Sequence, residues 1–111
     1  MTDSYKVVVQ AADALLSIER EMRRLEIWES ERPHETAFQS TEPFCVDTMS
    51  FPQWLQFVFI ERMKQIIEHE HALPVGSGIA PMAEEYFRGR PESGQQLIAE
   101  LEAVDQLLSG S

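Results

Sequence analysis

The segment from Ser50 to Ile67 constrains the fold most. It opens with Ser50-Phe51-Pro52-Gln53, an S-x-x-Q capping box in which hydroxyl and amide satisfy orphan backbone N–H groups. Pro52 falls in the first turn, where a missing N–H costs nothing. Phe51, Trp54, Leu55, Val58, Phe59, Met63, Ile66 and Ile67 then follow, too many for one narrow stripe. A helix that is apolar most of the way round belongs at the centre of a fold. The spacing predicts that it runs to about His69–Ala72.

The other segments read as helices that can surround it. Over residues 4–28, Val8, Leu15 and Met22 recur every seven residues, interleaved with Ala11, Ile18 and Leu25. That 3–4–3–4 stripe predicts a long amphipathic helix. Glu19 and Arg23 are attracting i,i+4 neighbours. Pro33 disfavours helix at Arg32, so the stop is expected near Glu29–Glu31. Residues 32–50 show no sustained period. One helical turn is expected around Glu35–Phe38, then an extended segment pinned by Phe44 and Val46. A fully flexible linker would rarely carry so many large apolar groups.

After a loop at Leu73-Pro74-Val75-Gly76-Ser77-Gly78, Pro81 suits the first turn of a short helix through Met82, Ala83, Tyr86 and Phe87. Gly89 can end it in the left-handed conformation. Ser93-Gly94-Gln95-Gln96 offers a second capping box, followed by Leu97, Leu101, Val104 and Leu108, with Ile98 and Leu107 beside them. The expected fold is all-α: a compact four-helix bundle, mainly up-and-down, with a long irregular connection between helices 1 and 2 and a short third helix. The 111 residues suffice for a single domain, 1–111.

Charge narrows the function classes. Lys and Arg number 9 against 19 Asp and Glu, a formal net charge of −10. Both halves of the chain are acidic, with no basic stripe, which argues against direct nucleic-acid binding. The longest unbroken apolar run is Phe57-Val58-Phe59-Ile60, far short of a membrane span. Met-Thr-Asp-Ser-Tyr-Lys at the start lacks the basic and apolar regions of a secretory signal. Cys45 is the single cysteine, consistent with a reducing compartment. A cytoplasmic protein is expected.

No motif compels an enzymatic reading. Glu68-His69-Glu70-His71 has metal-ligand residue types, but His69 and His71 lie about 200° apart on a helix. They can converge only if the helix has already ended. Glu84 and Glu85 point about 100° apart and do not share a site. Glu61 and Arg62 sit in the most apolar helix, where a buried charge would need a partner; with Lys64 and Glu68, Glu61 more simply marks its wet edge. Cys45 has no cationic neighbour to favour its thiolate. No catalytic residue, metal ligand or cofactor is assigned.

What remains is an apolar surplus. Trp54, Phe57 and Phe59 point in several directions from the second helix, and Trp28 and Tyr86 add to them. These five are the candidate interaction surface, since a small bundle need not cover them all. The bland alternative is that they are simply core. A second reading is a small-ligand pocket lined by Trp54, Phe59 and Met63. A third is an enzyme using Glu61, His69 or His71. A symmetric homodimer would also bury the surplus.

Two stretches carry a family resemblance. They are the D-T-M-S-F-x-x-W-L-Q-F-V-F block, Asp47 through Phe59, and Ile79-Ala80-Pro81-Met82-Ala83-Glu84-Glu85. With the chain length they resemble the YqcC-like family of small bacterial proteins, a domain of unknown function, over nearly the whole sequence. The resemblance implies an all-α bundle and no established catalytic or cofactor-binding residues. It also implies a gene often placed beside a tRNA pseudouridine synthase of type C, which makes that enzyme a candidate partner. The chain itself has neither the length, the mixed α/β pattern nor the Arg-Leu-Asp motif expected of such an enzyme.

Overall fold

The computed structural model describes residues 2–74, 78–91 and 93–109, with side chains from Tyr5 onward. Helix α1 is Thr2–Arg24. Two short 3₁₀ turns follow, Glu35–Gln39 and Pro43–Cys45. Helix α2 is continuous over 51–68, winding as an α-turn at Phe51–Trp54, a π-helix at Leu55–Ile60 and an α-helix at Glu61–Glu68. Helix α3 is Ile79–Phe87 and α4 is Gln95–Leu108. No strand occurs among the described residues. The four-helix bundle expected from the hydrophobic periods is what forms.

The stripes meet as their spacing requires. Ala11, Leu15, Ile18 and Met22 of α1 are buried against Leu97, Leu101, Val104 and Leu108 of α4 and Leu55, Ile60 and Met63 of α2. Ile79, Ala80, Ala83 and Phe87 place α3 in the same core. Helix α4 packs along both α1 and α3. The Ser50 capping box forms in full: Gln53 N–H donates to Ser50 Oγ at 3.3 Å and Ser50 N–H to Gln53 Oε1 at 3.0 Å.

Helix ends depart from expectation in three places. Helix α1 stops at Arg24, several residues before the proline. Ile27 N–H reaches Met22 O at 2.9 Å and Glu26 N–H reaches Arg23 O at 3.1 Å, with Glu26 at φ 60°. This Schellman turn satisfies the terminal carbonyls and folds Leu25, Ile27 and Trp28 back onto the core. Helix α2 ends identically, at Glu68 rather than His69–Ala72: His71 N–H bonds Ile66 O at 2.9 Å, with Glu70 at φ 56°. The second capping box does not form. Gly94, not Ser93, is the N-cap of α4, and it has no side-chain cap. A Cβ at Gly94 would fall on Cγ, Cδ2 and Cε2 of the buried Phe87 ring, so only glycine lets α3 and α4 approach there. Gly89 is left-handed as expected, at φ 80°. It lies in a turn closed by Arg90 N–H to Phe87 O, 3.1 Å. Gly76 and Ser77 lie outside the described residues.

Helix α3 is capped from a distance. Asp105 of α4 accepts from Ile79 N–H at 3.0 Å and Ala80 N–H at 2.8 Å, one carboxylate oxygen to each. The carboxylate thus meets the positive end of the helix dipole and closes a helix whose own N-cap, Gly78, offers no side chain.

Candidate functional site

The connection between α1 and α2 decides which aromatics reach the surface. Gln56, buried on α2, accepts from Glu29 N–H at 2.9 Å and donates to Glu29 O at 2.8 Å. One turn on, Arg32 Nη1 contacts both carboxylate oxygens of Glu61, at 2.7 and 2.8 Å. The Arg32 guanidinium lies 4.3 Å from the Phe38 ring centre and 6.0 Å from that of Phe57. The expected turn near Glu35–Phe38 forms, and its His34 ring accepts from Thr36 N–H. These contacts lay residues 29–38 over α2.

Phe57 is therefore covered, 8 % exposed, and Phe59 is 7 % exposed. Neither belongs to an exposed interaction surface as such. Arg32 of the irregular connection lies over Phe57, and Phe59 is buried in the core cluster with Trp54 stacked on it. Trp28 is half-buried against the core with Arg23 at 5.0 Å over its ring. Tyr86 is half-buried between Phe51, Phe87 and the Arg90 guanidinium, the last 3.9 Å from its ring centre.

Beyond residue 40 the connection does not extend as expected. Pro43–Cys45 is a second 3₁₀ turn in which Phe44 and Cys45 are both left-handed, φ 59° and 49°. Such backbone costs about 1 kcal/mol or more per non-glycine residue. It turns Phe44 onto Trp54, edge to face at 4.7 Å between ring centres. Val46 is not a pin: it is 56 % exposed.

The π-helical winding supplies the other half of the arrangement. Residues five apart on an α-helix face about 140° apart. In the i→i+5 winding of Leu55–Ile60, Phe59 comes under Trp54 and the two rings stack at 5.8 Å. Phe51 also stacks on Trp54, at 6.3 Å, and reaches Tyr86 at 6.0 Å. One aromatic row thus joins Phe44, Trp54, Phe51 and Tyr86, with Phe59 beneath. Trp28 makes no ring contact with this row among the described residues.

Beside the row lies an open cleft of about 290 Å³, lined by Phe44, Trp54, Val58, Phe59, Arg62, Met63, Pro74 and Leu108. Trp54, Phe59 and Met63, singled out above for a pocket, converge there. Phe44, Val58 and Arg62 were not assigned to it from sequence. The spacing of Trp54, Val58 and Arg62 at i, i+4, i+8 was the available signal. Glu61 faces Arg32, away from a catalytic role. The rings of His69 and His71 come within 6.1 Å because α2 has ended before them, yet both residues are exposed. Among the described residues no three His, Cys, Asp or Glu side chains are grouped to hold a metal ion.

The cleft can bind an apolar group beside a single cation; it presents no nucleophile with a base. The fold and this site define a small all-α bundle with an aromatic-lined cleft. Comparison with known proteins names its kind. The model of the family DUF446, described as tRNA pseudouridine synthase C, matches residues 10–107. An uncharacterised protein of Haemophilus influenzae is 38 % identical over 102 residues, covering 92 % of this chain and 95 % of that one. The uncharacterised protein YqcC of Escherichia coli is 33 % identical over 107 residues, 96 % of this chain and 93 % of that one. The solution NMR structure of YqcC superposes with a TM-score of 0.77 at 32 % identity, covering 98 % of this chain and 90 % of that one. A protein of Pectobacterium carotovorum named tRNA pseudouridine synthase C is 46 % identical over 65 residues, which are 59 % of this chain and 17 % of that protein. The chain belongs to the YqcC-like family, DUF446. No helix among the described residues is long and apolar enough to cross a membrane.

Proposed function

We propose that this protein is a non-enzymatic interaction module that docks on another chain through the cleft and its aromatic rim, and that a tRNA pseudouridine synthase of the C type is that chain. One observation carries the reading. A segment 46 % identical to this chain makes up only 17 % of the Pectobacterium protein of that name. There it is joined covalently to a much longer polypeptide. Domains tethered in one chain meet at high effective concentration, and a separately encoded pair keeps the contact through a surface. The cleft supplies a surface of that type: large aromatic side chains around a recess, which is where interface energy concentrates. The charge of −10 suits an enzyme that must present cationic surface to RNA phosphates.

The test mixes this protein with the type C enzyme from the same genome and follows complex formation by sedimentation velocity. An equimolar complex is expected at low micromolar concentrations, weakened at least tenfold by Phe44→Asp with the helical circular dichroism retained. Absence of a complex at tens of micromolar would sink the reading.

A further inference from the structure

We propose that the partner segment received by the cleft carries a carboxylate beside its apolar anchor, and that Arg62 is the residue that binds it. This rests on the reading that the cleft receives part of another chain. Arg62 is the charged residue in a lining that is otherwise Phe44, Trp54, Val58, Phe59, Met63, Pro74 and Leu108. It is exposed and has no ion pair or hydrogen-bond partner among the described residues, whereas Arg23, Arg24, Arg32 and Arg88 each hold a carboxylate. Its helical neighbours three and four residues away are Val58, Phe59, Gln65 and Ile66. No acidic residue stands three or four positions from it along the helix, and of the described cations without an ion pair it is the one that lines the cleft.

An unpaired guanidinium at an apolar cleft recognises a specific chemistry. Its planar fork matches a carboxylate with two parallel N–H donors, a charge-assisted contact stronger than a neutral hydrogen bond. The cleft, about 290 Å³, is roughly twice the ~150 Å³ cavity that accepts a benzene ring. It therefore accommodates one large side chain with the backbone beside it. Two features of the wall set it apart from ordinary core packing. Phe44 and Cys45 hold consecutive left-handed conformations, and Leu55–Ile60 is π-helical. Strained backbone and π-helical turns both gather at ligand-binding sites.

Phenylbutyrate and its neutral counterpart phenylbutanamide probe the cleft with the same apolar body. Trp28→Phe leaves Trp54 as the single indole, so its fluorescence reports binding. Both compounds are expected to perturb Trp54, the carboxylate binding about tenfold more tightly, with the preference shrinking as salt rises. Arg62→Met should erase the preference and Arg62→Lys should keep part of it; both replace an exposed side chain and should leave the fold unchanged. Equal affinities in the Arg62 protein, a preference that survives Arg62→Met, or no response of Trp54 to either compound would overturn the assignment. Phenylbutyrate should also displace the pseudouridine synthase, and a complex indifferent to saturating phenylbutyrate would overturn the docking of a carboxylate here. If the enzyme does not bind at all while the Arg62-dependent preference stands, the choice of partner fails and the carboxylate site survives.

Discussion

Replacing Asp105 tests whether α3 is held from outside its own sequence. In the fold, each carboxylate oxygen takes one N–H of the first turn, at 3.0 Å from Ile79 and 2.8 Å from Ala80. Both donors belong to buried residues, 0 % and 4 % exposed, so water cannot readily replace the carboxylate. Asp105→Ala removes a cap worth about 1 kcal/mol and leaves two shielded donors, which adds roughly 1–3 kcal/mol. The loss of a negative charge at the helix N-terminus contributes about 0.5 kcal/mol more. A total of ~3 kcal/mol is a large part of the ~5–15 kcal/mol that holds a domain of this size. Asparagine keeps one acceptor and the shape but loses the charge and the second acceptor, so Asp105→Asn should cost about half as much. The assay is urea unfolding followed by far-ultraviolet circular dichroism. With a slope of about 1.5 kcal/mol per molar urea, the alanine midpoint should fall by about 2 M with the slope unchanged. Amide exchange at Ile79 and Ala80 should accelerate more than at Leu101 in the core. If both variants unfold within about 0.5 kcal/mol of the parent, the range of a neutral surface change, the distant cap has no energetic role.

Gly94→Ala should destabilise by about 1–3 kcal/mol, because its Cβ meets the Phe87 ring between two packed helices; a melting temperature equal to the parent's would contradict that. Glu26→Gly and Glu70→Gly should each stabilise by about 0.5–1 kcal/mol by relieving a left-handed non-glycine residue at a Schellman turn, read as a higher urea midpoint. Gln56→Leu should cost about 2 kcal/mol, since both backbone groups of Glu29 lose their partner, and hydrogen exchange at Glu29 should rise before the bundle unfolds. A Gln56→Leu protein with unaltered exchange there would mean that residues 29–38 are held by their other contacts, the Arg32–Glu61 pair, Gln53 on the Glu29 carboxylate and Thr48 on Ala37 O.

The helices could be read because each periodic stripe is a local property. Ala11, Leu15, Ile18 and Met22 share one face whatever packs against it, and the Ser50–Gln53 box closes within four residues. The helix ends were less legible. The left-handed residues that stop α1 and α2 are Glu26 and Glu70, and glutamate gives no sign of that conformation. Pro33 therefore placed the stop of α1 too late, and the end of α2 fell one residue or more before the expected His69–Ala72. Of the candidate surface, Trp54 and Tyr86 do fall on one aromatic row, whereas Phe57 lies beneath Arg32.

By itself, then, the sequence determined an acidic all-α chain with a central apolar helix, and its resemblance to the YqcC-like family. Only the tertiary structure decided where that helix is covered and where it is open. Residues 29–38 seal one side through Gln56 and Glu61, while the turn at Pro43–Cys45 brings Phe44 onto Trp54 and leaves a cleft with Arg62 at its edge. Capping and amphipathic periodicity act over one or two turns of chain and are written in neighbouring residues. The cleft and the Asp105 cap join groups some 10 to 60 positions apart, and their contacts exist only after the chain has packed.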